Sequence, residues 1–265
     1  MELTSATEIK RPLQATLCNH VIPQLLGQTG CSPQTMAFTP AQCEALGQAC
    51  LSQDAGEAER FARRFLAQGL AIESLLIGAI PAAARLFHDW WAEDRIDFVD
   101  VTRATFRLET LVYAFSAEFV LNGPAKHVAN GLKALLVNTP GSHHSLGLLL
   151  LSLYFRRHGW QVLNDGGKRE QAMRTTVSSE WVDLLGISVS DQRQFDNLTQ
   201  LIRRLRQETR NPAMQIMVGG PALRFEPRLA EILGADLSTS HADEAHVQAL
   251  ALVRRVQPMA QPEHA

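Results

Sequence analysis

Hydrophobic side chains recur every three or four residues between residues 39 and 121. One such run is Phe61, Phe65, Leu66 and Leu70, and similar runs continue to Phe115. This spacing is typical of amphipathic helices and predicts a bundle of about four of them. Residues 1–45 contain mainly polar turns with one short apolar run, so we expect a weakly patterned N-terminal extension there.

The pattern changes at the segment L-N-G-P, residues 121–124, which predicts a domain boundary near residue 125. After it, short apolar runs alternate with longer amphipathic segments. The candidate strands are 134–137, 161–163, 184–189, 215–218 and, more weakly, 236–239. The helix-like segments that follow them are 145–158, 168–178, 193–208, 222–233 and 242–256.

Five strand-then-helix units require right-handed crossovers and a mainly parallel sheet with helices on both faces. The sequence therefore predicts an α/β fold: an N-terminal helical bundle followed by a flavodoxin-like (Rossmann-type) five-stranded parallel domain. The predicted division is an extension at 1–45, a helical bundle at 46–125, the α/β domain at 126–257 and a tail at 258–265. Ligands of such sheets bind beyond the carboxyl ends of the strands, so the loops there are the places to search.

Composition narrows the range of functions. The 265 residues are 46% hydrophobic, enough for two packed domains, and carry a net charge of −2. This balance gives no general attraction to nucleic acid or anionic membranes, so direct DNA binding is not expected. The chain starts without a signal-peptide pattern and has no apolar run long enough to cross a membrane, which predicts a cytoplasmic protein.

Four cysteines, Cys18, Cys31, Cys43 and Cys50, lie in the first 50 residues. None forms the C-x-x-C spacing typical of zinc or redox pairs. We expect them to be reduced and structural. The alternative, a redox role, would need an accessible thiol with a low pKa.

The loop after the first predicted strand reads N-T-P-G-S-H-H-S-L-G, residues 138–147. It places His143 and His144 at the ligand edge of the sheet, just before a very apolar helix. Neutral imidazole is a good ligand for a transition metal, and a helix entrance leaves backbone N–H groups free for anionic groups. The alternative is a pair of exposed or helix-capping histidines.

Two further loops place small polar residues at the same edge. Ser188 and Ser190 end the third strand and offer hydroxyls to a ligand. Gly219 and Gly220 end the fourth strand, where paired glycines permit a strained turn and close approach of a ligand to the backbone. We expect substitution of either glycine to lower ligand affinity before it lowers stability. Taken alone, the serines are ordinary for the end of a strand, and the glycine pair indicates only a turn.

Together these motifs resemble the cobalamin-binding domain of methionine synthase and corrinoid proteins, whose pattern is D-x-H-x-x-G, then S-x-L, then G-G. The matches here are H-S-L-G at 144–147, S-V-S at 188–190 and G-G at 219–220. The resemblance implies that His144 is the axial ligand to cobalt. The cofactor-binding residues that it implies are Ser142, His143, His144, Ser145, Gly147, Ser188, Ser190, Gly219 and Gly220.

Two positions depart from that pattern. Ser142 replaces the aspartate, and Ser190 replaces the leucine. In the family the aspartate accepts a hydrogen bond from the ligating histidine, which fixes its tautomer and raises its basicity. Serine does this less strongly, so His143 remains an alternative ligand to His144.

The upstream segment L-F-H-D-W-W, residues 86–91, resembles the helical cap of light-sensing cobalamin-dependent repressors. Their pattern is a tryptophan, nine residues, then Glu-His. Trp90 with Asp100 and Val101 has that spacing, which implies that Trp90 covers the upper face of the corrin. Those repressors have a cobalt-capturing histidine after the tryptophan, where this chain has Trp91, and His88 is a possible substitute. The alternative is an aromatic stripe in the bundle core.

Such repressors carry a winged-helix DNA-binding domain before the cap, whereas residues 1–45 are too short and too weakly patterned for one. The chain as a whole resembles the AerR/PpaA antirepressors of purple photosynthetic bacteria. This implies a non-enzymatic photoreceptor that holds adenosylcobalamin in the dark and hydroxocobalamin after light, and that binds a PpsR/CrtJ-type repressor of photosystem genes. The alternatives are a corrinoid shuttle protein of a methyltransferase system and a signalling module that has lost cobalamin binding.

Overall fold

The computed structural model describes residues 37–123, 129–140, 142, 145–163, 170–239 and 242–256. Helix α1, Pro40–Leu51, begins at a capping box. The Gln42 amide N–H donates to Thr39 Oγ1 at 3.3 Å, and the Thr39 amide donates back to Gln42 Oε1 at 2.8 Å. The helix therefore starts where the helical periodicity starts, and the predicted boundary at residue 45 falls inside it.

Three more helices complete the predicted bundle. Helix α2 is Glu57–Ala67, α3 is Ile80–Ala92 and α4 is Phe98–Leu121. A π-helical turn, Ser74–Ala79, leads into α3. Buried side chains from every one of these segments form a continuous core. No helix among the described residues is long and apolar enough to span a bilayer.

The second half of the chain forms the predicted five-stranded parallel sheet. Its strands are β1 Lys133–Asn138, β2 Gln161–Leu163, β3 Leu184–Ser188, β4 Gln215–Gly219 and β5 Leu237–Thr239. The order is β2-β1-β3-β4-β5, and each neighbouring pair is parallel. This is the flavodoxin-like strand order, so the predicted fold class is confirmed.

Helices cover both faces of the sheet. They are α5 Leu146–Arg157, α6 Glu170–Ser179, α7 Phe195–Glu208, α8 Leu229–Leu233 and α9 Ala242–Val256. Side chains of α6, α7 and α8 pack with one face. Side chains of α5 and α9 pack with the other. The prediction of one helix over residues 222–233 is wrong: a 3₁₀ turn, Pro221–Arg224, is followed by the short α8. Pro227 lies between them and lacks the N–H that a continuous helix needs.

Helix α5 joins the sheet to the bundle. Leu146, Leu150 and Leu153 belong to the same buried cluster as the bundle side chains. At its other end, Arg157 donates to the Phe119 carbonyl and pairs with Glu73. The two predicted domains thus share a core through α5, while the predicted boundary at residue 125 lies outside the described residues.

Candidate functional site

Small and polar residues form one row at the carboxyl edge of the sheet. Parallel pairing places Asn138 opposite Ser188, and Ser188 opposite Gly219. Gly219 in turn lies opposite Thr239. In-register neighbours of a parallel sheet project to the same face, here the face covered by α5 and α9. This edge therefore offers amide and hydroxyl groups beside a half-buried stretch of glycine backbone.

Hydrogen bonds to β3 hold the loop after β1. The amide and the hydroxyl of Thr139 both donate to the Ser188 carbonyl, at 3.0 and 3.1 Å. The Ser142 amide donates to the Thr139 carbonyl at 3.0 Å, which places Ser142 at the carboxyl edge beside β1. His143 and His144 lie outside the described residues, so the assignment of the cobalt ligand stays a prediction.

The glycine pair after β4 is required by the protein itself. Gly220 has φ of 96°, a conformation that L side chains rarely adopt, and a Cβ there would lie 2.7 Å from the Val189 carbonyl oxygen. A Cβ at Gly219 would lie 3.0 Å from the Thr239 carbonyl oxygen. The backbone thus turns tightly between β3 and β5, and we expect substitution of Gly220 to lower stability as well as affinity.

Both predicted serines lie on the β3 side of this turn. Ser188 is half-buried at the end of β3, and Ser190 is 7% exposed. The intervening Val189 is fixed on both sides, because its amide donates to the Gly219 carbonyl at 2.8 Å and its carbonyl accepts from Ala222 at 3.0 Å. The predicted serines and glycines are therefore brought together in one rigid stretch of backbone.

Gly147 differs from Gly220 in that a side chain at this position would have open space around it. It lies in the first turn of α5, and a Cβ there would meet no heavy atom within 4 Å in the described chain. Gly147 is the second residue of α5, near the carboxyl edge at which that helix starts.

Two polar residues at this edge were missed by sequence reasoning. Asn138 is 7% exposed, and its Oδ1 accepts no hydrogen bond within the described chain. Gln194 donates to the Pro140 carbonyl at 3.5 Å, while its Oε1 likewise lacks a donor among the described residues. Buried acceptors without donors fit a ligand that brings N–H or O–H groups. A buried asparagine at a strand end was a usable signal, whereas nothing in the sequence marked Gln194.

Glu109 of α4 connects the bundle to the loop that carries the predicted ligands. The Ser145 hydroxyl donates to Glu109 Oε1 across 36 residues of sequence. Ser145 directly follows His144, so the bundle contacts the residue next to the predicted cobalt ligand. Glu109 was not predicted, because no local pattern distinguishes it from an ordinary helix-surface carboxylate.

Trp90 is buried in the bundle, with 3% of its surface exposed. Its ring centroid lies 6.0 Å from that of Phe87, and the Arg95 guanidinium lies 5.1 Å above the ring. These contacts are those expected from the alternative interpretation, an aromatic core stripe. Coverage of a corrin by Trp90 stays a prediction.

The other residues of the proposed cap motif have distinct surroundings. Asp100 closes the capping box of α4: its amide donates to Asp97 Oδ1 at 2.7 Å, and its side chain accepts from the Asp97 amide at 3.4 Å. It also pairs with Arg103 at 2.7 Å. Trp91 is 3% exposed, while His88 and Val101 are half-buried. Asp100 therefore helps to cap α4, and this role does not require a ligand.

The bundle extends past the carboxyl edge. Glu109 contacts Ser145 at the start of α5, and the Phe119 carbonyl contacts Arg157 at its end, so α4 and α5 run parallel. The residues of α4 that precede Glu109 therefore lie beyond the edge. Since α3 and α4 are joined by a short turn, Trp90 lies at this same end of the bundle.

The described cysteines are poor candidates for redox chemistry. Cys43 and Cys50 are buried free thiols on α1. Burial raises the pKa of Cys43 and raises that of Cys50 to about 12, against smaller opposing effects of Arg85 and Arg107. A thiol in this state is not a nucleophile, so the structural interpretation is supported for these two. Cys18 and Cys31 lie outside the described residues.

Comparison with known families agrees with the geometry of the edge. Residues 132–250 match the B12 binding domain family. The matched part of the α/β domain is therefore similar to B12 binding domains. The matched segment starts just before β1 and ends within α9, so it contains the complete row of edge residues and both predicted histidines. The helical bundle lies outside the match.

Two kinds of relative extend the comparison beyond the B12-binding domain. An uncharacterized 20.5 kDa protein from the bchF-crtJ intergenic region of Rhodobacter capsulatus is 28% identical over 176 residues, covering 66% of this chain and 90% of that protein. The monomethylamine corrinoid protein of Methanosarcina barkeri has a TM-score of 0.65 at 19% identity, covering 80% of this chain and 98% of that chain. The second likeness concerns the fold alone.

Proposed function

We propose that this protein is a cobalamin-binding, light-responsive regulator that acts by contact with a PpsR/CrtJ-type repressor rather than as an enzyme. Its B12-binding domain supports the cofactor class. The Rhodobacter relative supports the regulatory setting, because it is named for its position beside crtJ. The net charge of −2 supports output through protein contact rather than DNA binding.

In this proposal His144 binds cobalt from the loop after β1. Ser188, Gly219 and Gly220 would contact the part of the cofactor that lies against the sheet edge, and Asn138 Oδ1 would accept one of its hydrogen-bond donors. When bound, cobalamin supplies visible-light absorption and a photolabile cobalt–carbon bond. The residues of this edge would hold the cofactor, and the bundle extends past the same edge.

The observation that carries the proposal is the hydrogen bond between Ser145 and Glu109. It links the loop of the predicted cobalt ligand directly to α4, and the common core of α4 and α5 makes the link stiff. A change of ligation at cobalt that moves this loop would alter the preferred position of the bundle. Such a shift can regulate a partner only if the partner binds the two arrangements with different affinity.

Absorption spectra recorded in the dark and after illumination test the first half of the proposal. The protein is loaded with adenosylcobalamin, and we expect a light-dependent change to a hydroxocobalamin spectrum. The second half is tested by the affinity for the repressor in both states. A spectrum that does not respond to light contradicts the photoreceptor role, and equal dark and lit affinities contradict the switch.

The competing candidate is a corrinoid shuttle protein that carries a methyl group between methyltransferases. The likeness of fold to the monomethylamine corrinoid protein favours it, because that likeness covers bundle and sheet together. The two proposals differ in their upper ligand. Loading with methylcobalamin, followed by a search for methyl transfer to a thiol acceptor with a partner methyltransferase, distinguishes them: transfer supports the shuttle and light-dependent repressor binding supports the regulator.

A further inference from the structure

Asn138 ends β1 with a buried amide that the protein leaves partly unpaired. Only 7% of the residue is exposed, and its Oδ1 accepts no hydrogen bond from the described residues. Burial of an amide oxygen without a donor lowers stability, because the hydrogen bonds lost to water are not replaced. The fold therefore carries an uncompensated acceptor at the carboxyl edge of the sheet.

The other buried asparagine of the described chain is fully paired. Asn211 is 1% exposed and lies before β4, at the amino edge of the sheet. Its Nδ2 donates to the Val182 carbonyl at 3.0 Å, and its Oδ1 accepts from the Ala213 amide at 3.0 Å. This fold therefore pairs a buried asparagine where its role is structural. The unpaired asparagine lies at the edge that holds the predicted cofactor site.

The donors nearest to Asn138 along the sheet are directed elsewhere. The amide and the hydroxyl of Thr139 both donate to the Ser188 carbonyl. Ser188 itself lies opposite Asn138 in the parallel register, but its hydroxyl lies on the β4 side, next to Gly220. A Cβ at Gly220 would lie 2.9 Å from Ser188 Oγ. No described residue therefore supplies the missing donor.

Asn138 projects to the face of the sheet that α5 and α9 cover. Ala134 and Leu136, which precede it at alternate positions of β1, belong to the buried cluster that includes side chains of those two helices. In register beside Asn138, the same row continues with Ser188 and Gly219. The neighbours of the amide along this row are thus a hydroxymethyl group and bare backbone. Asn138 therefore begins a row of small polar groups rather than an apolar patch.

The chemistry of the row favours a neutral donor as the missing partner. A buried cation could also satisfy Oδ1, but it would need a charged partner to offset its lost hydration. The row contains no charged residue: its members are Asn138, Ser188, Gly219 and Thr239. Cobalamin carries neutral donors in two places, on the amide side chains around the corrin ring and on the ribose of its nucleotide loop. The cofactor of the matched domain family therefore offers the chemistry that Asn138 lacks.

We propose that Asn138 determines specificity for the cofactor by accepting a hydrogen bond from a neutral N–H or O–H group on the periphery of cobalamin. The inference rests on the proposed cobalamin function and adds the chemical group that is recognised. The empty site leaves Oδ1 buried and unpaired, and the bound cofactor satisfies it. A corrinoid without a donor at this position leaves the acceptor unpaired in the complex, so its affinity is lower.

Two substitutions in the full-length chain test this contact. Asn138→Leu keeps the branched shape of the side chain without an acceptor, and Asn138→Ala removes the acceptor without adding bulk. Both should raise the dissociation constant for adenosylcobalamin on the order of tenfold, because a donor of the cofactor loses its partner. Absorption titration in the dark measures this constant. If only Asn138→Leu weakens binding, the effect is steric and the hydrogen bond is refuted.

Thermal unfolding without cofactor separates recognition from a structural role. Asn138→Leu should leave the midpoint unchanged or raise it, because no hydrogen bond is lost and a buried unpaired acceptor is removed. Asn211→Ala is the matched control. It removes a paired buried amide, so it should lower the midpoint by at least about 2 °C and leave the affinity for adenosylcobalamin unchanged. A lowered midpoint for Asn138→Leu with unchanged affinity would overturn the proposal and assign Asn138 a structural role.

Adenosylcobinamide, which lacks the nucleotide loop, locates the donor on the cofactor. If Asn138→Ala weakens binding of adenosylcobalamin alone, the donor belongs to the nucleotide loop. If it weakens binding of both corrinoids equally, the donor is an amide side chain of the ring, and either result supports the proposal. Unchanged affinity of the variant for both corrinoids overturns it, whereas a wild type that binds neither corrinoid overturns the proposed function itself.

Discussion

The indole ring of Trp90 lies directly against the backbone of Gly47. A Cβ at position 47 would come within 3.0 Å of Cη2 of Trp90, a distance that requires the ring to move. The glycine on α1 thus makes room for the tryptophan on α3, and Phe87 closes the other side of the contact. Packing between these helices depends on this pair.

Replacement of Trp90 should therefore affect the bundle before it affects any ligand. We expect Trp90→Ala to lower the free energy of unfolding by about 3–5 kcal/mol, because it removes a large buried ring. Urea denaturation measures this. Trp90→Phe keeps most of the volume and separates packing from a role above the corrin: a changed dark–lit difference at nearly unchanged stability would support that role. A loss below about 1 kcal/mol for Trp90→Ala would contradict the core assignment.

Two glycines of the proposed cobalamin site should respond in opposite ways. Gly147→Ala meets open space, so we expect weaker cobalamin binding with stability unchanged or slightly raised. Gly220→Ala must adopt φ of 96° against the Val189 backbone, so we expect a loss of about 1–3 kcal/mol in stability. Equilibrium titration with cobalamin and thermal unfolding separate the effects. Equal stability losses in both variants would refute the distinction.

The two histidines of the loop after β1 should differ in their spectra. His144→Ala is expected to bind cobalamin more weakly or in a form without a protein ligand to cobalt, because His144 occupies the ligand position of the H-x-x-G motif. His143→Ala should retain the histidine-ligated spectrum. If His143→Ala alone removes that spectrum, the assignment is reversed.

The contact between Ser145 and Glu109 should couple the bundle to the α/β domain. We expect Glu109→Ala and Ser145→Ala to be non-additive in a double-mutant cycle, with a coupling energy of about 0.5–1.5 kcal/mol in unfolding experiments. The same cycle, measured on repressor affinity in the dark and after light, tests whether this contact transmits the switch. If the effects of the two substitutions are additive, the contact between Glu109 and Ser145 does not contribute to the coupling.

His158 should make stability depend on pH. Burial lowers its pKa from 6.5, and Arg157 adds to the effect, while the hydrogen bond to the Tyr154 carbonyl opposes it. The unfolded chain therefore binds the proton more tightly, so the free energy of unfolding falls as pH drops below about 6.5 and this dependence disappears above it. The His246 ring stacks on His158 with centroids 3.6 Å apart.

His158→Phe keeps an aromatic ring against His246 and removes the titration. We expect its midpoint of thermal unfolding to change less than that of wild type between about pH 5 and pH 7. Measurement of both proteins at matched ionic strength provides the comparison. Parallel pH profiles would show that another group is responsible.

Local patterns were sufficient for most of the elements. The strand predicted at 161–163 and the helix at 242–256 have those bounds in the structure, and the ends of the other strands differ by at most one residue. A short apolar run bounded by turn residues indicates a buried strand, and this pattern can be recognised without knowing which strands pair with it. The prediction of a helix at 222–233 was wrong because the apolar spacing continues across Pro227, whereas the helical backbone is interrupted there.

The sequence alone thus determined the parallel sheet and its flavodoxin-like class. It also placed Ser188, Gly219 and Gly220 at one edge, because the carboxyl ends of parallel strands lie at the same edge of the sheet. Tertiary structure alone decided that α5 belongs to the bundle core, that Glu109 reaches Ser145 and that Trp90 fits against Gly47. These relationships join segments far apart in sequence, and they depend on how two helix surfaces interdigitate. Periodicity reveals which face of a helix is buried, but the choice of partner for that face follows from the packing of the whole molecule.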